Sequence, residues 1–438
     1  MKPESVSTKQ ERIAKLAKTN PAMAFTSLNH YIDYEWIAYA YELTRKDGAV
    51  GVDGQTAEDY AQDLECNLLS LIDRLKSGRY HAPPVRRHFI PKGDGQGQRG
   101  LGIPSFEDKV AQRAIVMLLE PIYEQDFYDC SYGYRPGRSA HQALRAIRQA
   151  IMVQSGRWVL DIDVCKYFDS IDRAKLRAFL AKRVTDGVVR RLIDKWLKAG
   201  VLEGGQISYP ETGTPQGGVV SPLLSNIFLH YVLDEWVTET VQPRLKGRST
   251  LVRFCDDFVM VFELHADGVR VQNVLGKRLE RFGLRLHPDK SRLVDFRCHR
   301  LDTRGGPTSL PTTFNFLGFI HLWGKSRKRK WVVRQLMAKD RLARAVKNIL
   351  AQCRRMMHWP LRAQHERLCR LIRGHFAYFG ITDNCPRLQR LRRLAERVWR
   401  RVLARRSRDR HLSWAVFTRL LRRFPLPRAV IVHCYTKP

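Results

Sequence analysis

The apolar positions of this chain change period several times along its length. Residues 1–75 repeat apolar side chains at helical spacing, in TSLNHYIDYEWIAYAYELTRK and again in EDYAQDLECNLLSLIDRLKSG, with the Gly/Asp turn DGAVGVDG between them. From Tyr80 onward, PPVRRHFIPKGDGQGQRGLGIP predicts strand, glycine-rich polar turn and strand, with basic residues on both sides of the turn. SFEDKVAQRAIVMLLEPIYEQDF returns to helical spacing behind a Ser cap followed by acids, and RPGRSAHQALRAIRQAI opens another helix. RWVLDIDVCKYF predicts a buried strand ending in aspartates, with a helix from about Asp172. TPQGGVVSPLLSNIFLHYVLDEW is a Gly/Pro turn feeding a long apolar helix, and LVRFCDDFVMVF a hairpin with two aspartates at its tip. DGVRVQNVLGKRLERFG predicts a helix, LRLHPDKSRLVDF a strand and FNFLGFIHLW a final strand. KSRKRK (325–330) reads as a linker. Beyond it the pattern is wholly helical, in segments near 332–356, 361–380 and 386–407, ahead of a less regular tail. The organisation is α/β (α+β) to about residue 324, then all-α, with no internal repeats.

The chain's 438 residues, 44% of them hydrophobic, are enough for two or three globular domains. No window approaches the ~18 consecutive apolar residues of a membrane span, and the polar start MKPESVSTKQER lacks a signal peptide's apolar core. The nine cysteines contain no CxxC, which argues against paired zinc-finger spacing and for reduced thiols. A soluble intracellular protein, without a membrane partner, is the expectation. Charge changes the picture more. The net charge is +34, and residues 324–438 hold 32 Lys/Arg against 5 Asp/Glu, whereas the rest of the chain holds 45 against 38. Solvated helix faces normally intersperse acids to form i,i+4 pairs. Their scarcity here points to a polyanion, and nucleic acid is the obvious one.

Two adjacent carboxylates, Asp256 and Asp257, in an apolar run are costly unless solvated or paired. A polar turn is one explanation, although Gly or Asn would be commoner there and the flanking strands are too apolar for surface strands. A second acidic strand end, WVLDIDVCKYFD, lies 93 residues earlier. Two strands delivering carboxylates to one sheet edge would form a cluster that divalent cations stabilise, and hard Mg²⁺ suits such oxygen ligands. Two such ions would serve two-metal nucleotidyl transfer.

The ordered series IPK…RGLGIP, SYGYRPGRSAHQAL, DIDVCKYFDSID, TPQGGVVSPLLSNIFL, FCDDF, GLRLHPDK and FNFLGF resembles the successive motifs of bacterial group II intron-encoded reverse transcriptases. RGHFAYFGI and LSWAVFTRLLRRFPLP resemble the thumb or maturase domain of that family, so the likeness runs from about residue 22 to 430. It implies right-hand polymerase fingers and palm with an antiparallel palm sheet (76–324), behind an N-terminal helical extension (1–75), then a basic helical thumb/maturase domain (325–438). It implies an RNA-directed DNA polymerase whose metal-binding triad is Asp163, Asp256 and Asp257, with the Val164 carbonyl as a further ligand and Asp161 as second choice to Asp163. Two Mg²⁺ ions are implied, Mn²⁺ being able to substitute. Phe168, five positions beyond Asp163, would be the steric gate against a 2′-hydroxyl. Lys92 and Arg99 would grip the triphosphate; for Arg99 a solvated basic turn is the competing reading. Gln216 and Gly217 would contact the nucleotide. Lys290 is either a general acid for pyrophosphate or an exposed strand-end lysine. The basic helices, with Arg392, Arg393, Arg400 and Arg401 foremost, would hold intron RNA.

The implied partners are group II intron RNA, an RNA template with a DNA primer, dNTPs and target DNA, in a nucleoid- or RNP-associated bacterial setting. The sequence departs from the family in carrying Phe254-Cys255 where Tyr-Ala is usual, which predicts altered kinetics or fidelity. No paired-cysteine endonuclease domain follows the thumb in this sequence. Two alternatives stay open: a domesticated reverse transcriptase in phage defence or DNA repair, and a splicing-only RNA-binding maturase. Flanking catalytic intron RNA would separate the first, and the retained aspartates and PQG argue against the second.

Overall fold

A computed structural model describes residues 3–91, 97–210, 212–213, 217–288, 290–298, 312–326, 328–406 and 411–435. They gather into two compact units, residues 1–143 with 162–293, and residues 144–161 with 294–438.

The first unit opens with four helices, two of them with side-chain caps at their starts. α1 (Glu4–Thr19) buries Val6, Ile13 and Ala17. α2 (Tyr34–Leu43) begins at Asp33, whose carboxylate accepts the Trp36 N–H at 3.0 Å. α3 (Ala57–Gln62) starts with a Thr56/Asp59 capping box, and α4 (Leu64–Lys76) turns Leu68, Leu71 and Leu75 inward. β1 (Val85–Pro91) and β2 (Gln98–Ile103) form an antiparallel pair. Ser105 caps α5 (Phe106–Asp126), a largely buried helix on which α1 and α2 pack. The Trp36 indole N–H donates to the Ala114 carbonyl at 3.0 Å. α6 (Ala140–Met152) and β3 (Trp158–Ile162) follow in the chain, most of both belonging to the second unit, then the single turn α7 (Tyr167–Ser170). α8 (Arg173–Arg183) and α9 (Gly187–Lys198) begin behind Asp172 and Asp186, whose carboxylates each accept two N–H groups of the first helical turn, Asp186 accepting those of Leu28 and Asn29 as well. Buried Arg183 donates to the carbonyls of Ala17, Asn20, Pro21 and Met23 and pairs with Asp126 at 2.9 Å. It thereby satisfies carbonyls that the end of α1 leaves without partners.

β4 (Val201–Glu203) and β5 (Gln206–Ser208) complete the first sheet, ordered β2-β1-β4-β5. α10 (Ser221–Leu229) carries the apolar run expected after the Gly/Pro turn and continues as wider π-helical turns over His230–Asp234 and Trp236–Val241. β6 (Ser249–Phe254), β7 (Asp257–Phe262), α11 (His265–Glu280) and β8 (Arg292–Asp295) follow. The second sheet has the order β6-β7-β3-β8, and the division between the units falls within β3 and β8 themselves.

The second unit corrects two readings. FNFLGFIHLW is not one strand: β9 (Phe314–Phe316) and β10 (Phe319–Lys325) pair antiparallel around Leu317-Gly318, both at positive φ. KSRKRK is not a linker, and 332–356 is not one helix. Lys325 ends β10, and β11 (Trp331–Met337) returns antiparallel to it before α12 (Lys339–Arg355) begins. WVVRQLM has the β-branched Val pair and alternating burial of a strand, and the apolar residues of α12 obscured that period in the sequence. α13 (Leu361–Phe379), α14 (Cys385–Ala404) and α15 (Trp414–Arg423) complete the unit. On α14, Leu388, Leu391, Ala395, Trp399 and Val402 face inward. Gln364 of α13 accepts the Trp399 indole N–H at 2.9 Å within this core. Among the described residues, no helix is long and apolar enough to cross a membrane.

Candidate active site

The aspartate-bearing hairpin closes through two residues, since Phe254 lies opposite Asp257 in the β6/β7 register. The turn is therefore Cys255-Asp256, and Asp257 already starts β7, one place further down than a shared tip would put it. Two-residue hairpin turns demand positive φ, normally supplied by Gly or Asn. Here Cys255 adopts φ 59°. Its buried Sγ lies 3.3 Å from the Ser225 hydroxyl, and burial first, then the Asp256 charge, pushes the thiol up to about 12. Cys255 is thus a neutral packing residue rather than a nucleophile. Gly133 lies directly behind it, where an added Cβ would come within 2.5 Å of the Cys255 nitrogen.

Arg253, one residue before Phe254, was not singled out from the sequence, yet it organises this tip. Its fully buried guanidinium forks onto Asp234 at 2.8 and 2.5 Å, and donates to Ser131 Oγ at 2.8 Å and Asn226 Oδ1 at 2.9 Å. It also donates to the Cys255 carbonyl at 3.1 Å, fixing the turn from beneath. Burial works against the Arg253 charge, and the Asp234 carboxylate more than offsets it. An Arg in an otherwise apolar strand was the available signal; its partner lies 19 residues away, beyond any local pattern.

Burial pushes the Asp256 carboxyl above the usual carboxylate range. Its own backbone N–H, Arg99 and the Cys255 thiol oppose that rise, and the negative charge of Asp163 adds to it. Three separate motifs thus bear on one carboxylate. Arg99, exposed on β2, is within electrostatic reach of Asp256 rather than on a remote solvated turn. Asp163 follows the end of β3. Its carbonyl accepts the His287 N–H at 2.8 Å, while Cys165 N donates to Arg285 O at 2.8 Å. This short ladder leaves the Val164 carbonyl outside it and lays GLRLHP alongside residues 163–165. Lys290 thereby stands with Nζ 3.3 Å from Asp163 Oδ2, the two side chains 52% and 44% exposed. Asp161 is half-buried within β3. Phe168 is half-buried in α7, edge-on to Tyr167 at 5.2 Å. Lys92 and Gln216 lie outside the described residues.

Gly217 sits at φ 113°, and a Cβ there would approach the Gly102 carbonyl of β2 to 2.4 Å. Only Gly permits that backbone approach. Behind it a buried polar chain holds the loop: Val220 N donates to Gln112 Oε1 at 3.2 Å, and Gln112 Nε2 to Asp108 Oδ2 at 3.0 Å. Asp108 also accepts from Tyr80 and Trp196, but burial outweighs these donors and raises its carboxyl to about 6. Gly217→Ala is expected to lower kcat/KM for dNTP by about 5- to 150-fold, the equivalent of ~1–3 kcal/mol of strain. Steady-state primer extension at varied dNTP checks this.

Among the described residues, no three His, Cys, Asp or Glu side chains converge on a common metal position. What the structure brings together is a pair: the Asp163 charge helps raise the Asp256 carboxyl, with Lys290 against the first and Arg99 near the second. Hard carboxylate oxygens under mutual repulsion suit a divalent cation, so the donor chemistry fits one. In the second unit, the four arginines of α14 expected to hold RNA divide. Arg392 is tied to Glu396 at 3.0 Å and lines a cavity with Arg393. Arg400 donates to the Leu412 carbonyl at 2.6 Å and lines another cavity with Arg401.

Residues 90–321 match the reverse transcriptase (RNA-dependent DNA polymerase) family. Protein YkfC of Escherichia coli (strain K12) is 34% identical over 66% of this chain and 84% of its own length. The group II intron-encoded protein LtrA of Lactococcus lactis subsp. cremoris is 37% identical over 62% of the chain and 44% of its length. The nuclear intron maturase 1 of Arabidopsis thaliana, a mitochondrial protein, is 36% identical over 22% of the chain and 13% of its length. The chain thus spans less than half of these intron proteins. The family match contains both acidic strand ends, the hairpin and the loop around Gly217, and with these relatives it places the chain in the reverse transcriptase (RNA-dependent DNA polymerase) family, of the type encoded by group II introns.

Proposed function

We propose that this protein binds group II intron RNA, assists its splicing and copies it into cDNA during intron mobility. The observation that carries the polymerase reading is the convergence of Asp163 and Asp256, from strand ends 93 residues apart, on one electrostatically coupled site. Asp163, Asp256 and Asp257 would hold two Mg²⁺ ions with the Val164 carbonyl. When bound, these ions supply Lewis-acid activation of the primer 3′-hydroxyl and charge stabilisation for departing pyrophosphate. Arg99 and Lys92 bind the triphosphate, an arginine fork and a lysine point charge both suiting phosphate. Phe168 lies beneath the sugar and excludes a 2′-hydroxyl. Gly217, with Gln216, lets backbone approach the nascent base pair. Lys290, held against Asp163, is placed to balance that carboxylate's charge and to donate a proton to the leaving group. The setting is a bacterial ribonucleoprotein acting at target DNA.

Purified protein given a poly(rA) template, an oligo(dT) primer, dTTP and Mg²⁺ should extend the primer; no extension would sink the polymerase reading. RNA binding is read separately. Replacing Arg392, Arg393, Arg400 and Arg401 together by Ala should weaken binding and flatten its dependence on log[salt], by about 0.7–0.9 for each phosphate the protein no longer neutralises. Arg392 should contribute least, because Glu396 already pairs with it. An unchanged slope would show that α14 does not face RNA.

A further inference from the structure

Within the second unit, the C-terminal half of α14 and the start of α15 enclose a cavity of about 450 Å³. Arg397, Arg400, Arg401 and Arg405 line it with His411 and Trp414, and among the described residues no acidic one lines it. Charge alone would make this another basic surface, but the arrangement of two of these residues is more specific. The Arg400 guanidinium lies 4.3 Å from the centre of the Trp414 ring. Its Nη1 is simultaneously tied to the Leu412 carbonyl at 2.6 Å, so the guanidinium is held in place. Trp414 is held from the other direction by Phe417, edge-on at 5.9 Å, yet remains 49% exposed. The guanidinium and the half-exposed indole thus form a flat platform beside a cationic cavity.

Resting on the reading of the chain as an RNA-binding reverse transcriptase, we propose that this cavity captures one unpaired nucleotide of a single-stranded RNA segment. The base stacks on the Arg400–Trp414 platform, and its flanking phosphates lie on Arg397, Arg401 and Arg405. Stacking on aromatic rings and guanidinium planes needs a base whose faces are free, so a duplex would offer the cavity phosphates alone. An acidic peptide would satisfy the arginines and leave the indole unused. The cavity volume lies within the roughly 300–1,000 Å³ that small-molecule-sized groups occupy.

The test measures binding of the full-length protein to an unstructured pyrimidine RNA and to an RNA hairpin whose strands are fully paired and joined by a non-nucleotide linker, across a salt series. Trp414→Ala should weaken single-strand binding by about 5- to 150-fold, the range expected when one base–aromatic stack is removed. Hairpin affinity should stay within about twofold of wild type, and the single-strand salt slope should not change, because every phosphate-binding arginine is still in place. Trp414→Phe should restore most of the affinity, which a folding defect would not allow. Arg401→Ala with Arg405→Ala should instead weaken both RNAs and flatten both slopes. Equal losses of single strand and hairpin on Trp414→Ala, or no loss of single strand, would overturn the proposal. The two readings fail differently. A wild-type protein that neither extends a primer nor binds RNA defeats both, whereas one that extends primers but binds alike with and without Trp414 defeats only the cavity.

Discussion

Asp256→Ala is expected to lower primer extension by at least about 10³-fold, while RNA binding stays within about twofold of wild type. On the proposed reading, removing this carboxylate would remove a ligand for ions that stabilise charge at the reacting phosphate, an effect worth several kcal/mol, and each 1.4 kcal/mol is about tenfold in rate. The fold should survive, because Asp256 occupies the turn between β6 and β7 and makes no pair in the ladder. Burial and the Asp163 charge both raise its carboxyl, so the substitution also relieves electrostatic strain. The variant should therefore be at least as resistant to urea as wild type. Single-turnover extension, filter binding and a urea titration together check this. Splicing assistance should persist along with RNA binding, since the basic helices are untouched. If splicing falls in step with extension, the two activities share this site and their separation is wrong.

The second large effect concerns Arg253. Arg253→Met should destabilise the protein by about 3–5 kcal/mol, because it leaves Asp234 fully buried without its counter-charge. Asn226 Oδ1, Ser131 Oγ and the Cys255 carbonyl lose a donor in the same step. Adding Asp234→Leu should recover much of that loss, since an apolar pair of similar volume often replaces a buried ion pair at little cost. A double-mutant cycle by urea unfolding measures the coupling. Polymerisation gives a second readout. The double variant, although stable, still lacks the donor to the Cys255 carbonyl, so kcat should remain depressed. A fully active double variant would show that Arg253 serves folding alone.

Both predictions centre on a hairpin whose outline was legible in the sequence and whose supports were not. The apolar runs on either side of the paired aspartates are enough to predict two buried strands and a turn. The turn's exact residues depend on pairing register, and the structure assigns Asp257 to the strand. Asp163 was legible as an acidic strand end, and its relation to Phe168 followed from family resemblance. That Lys290 closes on Asp163 follows from the ladder between residues 163–165 and 285–287, which no local period encodes. Arg99 has the same standing: one basic residue among several in a glycine-rich turn until tertiary structure sets it near Asp256.

The second unit shows where local reading misleads. WVVRQLM precedes a long amphipathic helix, and a window spanning both averages a period of two into one of 3.6. By itself, the sequence determined the amphipathic helices, their caps, the acidic strand ends and the concentration of positive charge toward the C-terminus. Each depends on residues a few positions apart, within reach of backbone geometry. Tertiary structure alone decided what the buried polar groups do: which carboxylate meets Arg253, which loop Asp108 and Gln112 hold, and which indole Arg400 covers. Those partners lie from 14 to 122 residues apart, and for Arg253 and Asp108 desolvation makes the pairing necessary without any local pattern announcing it.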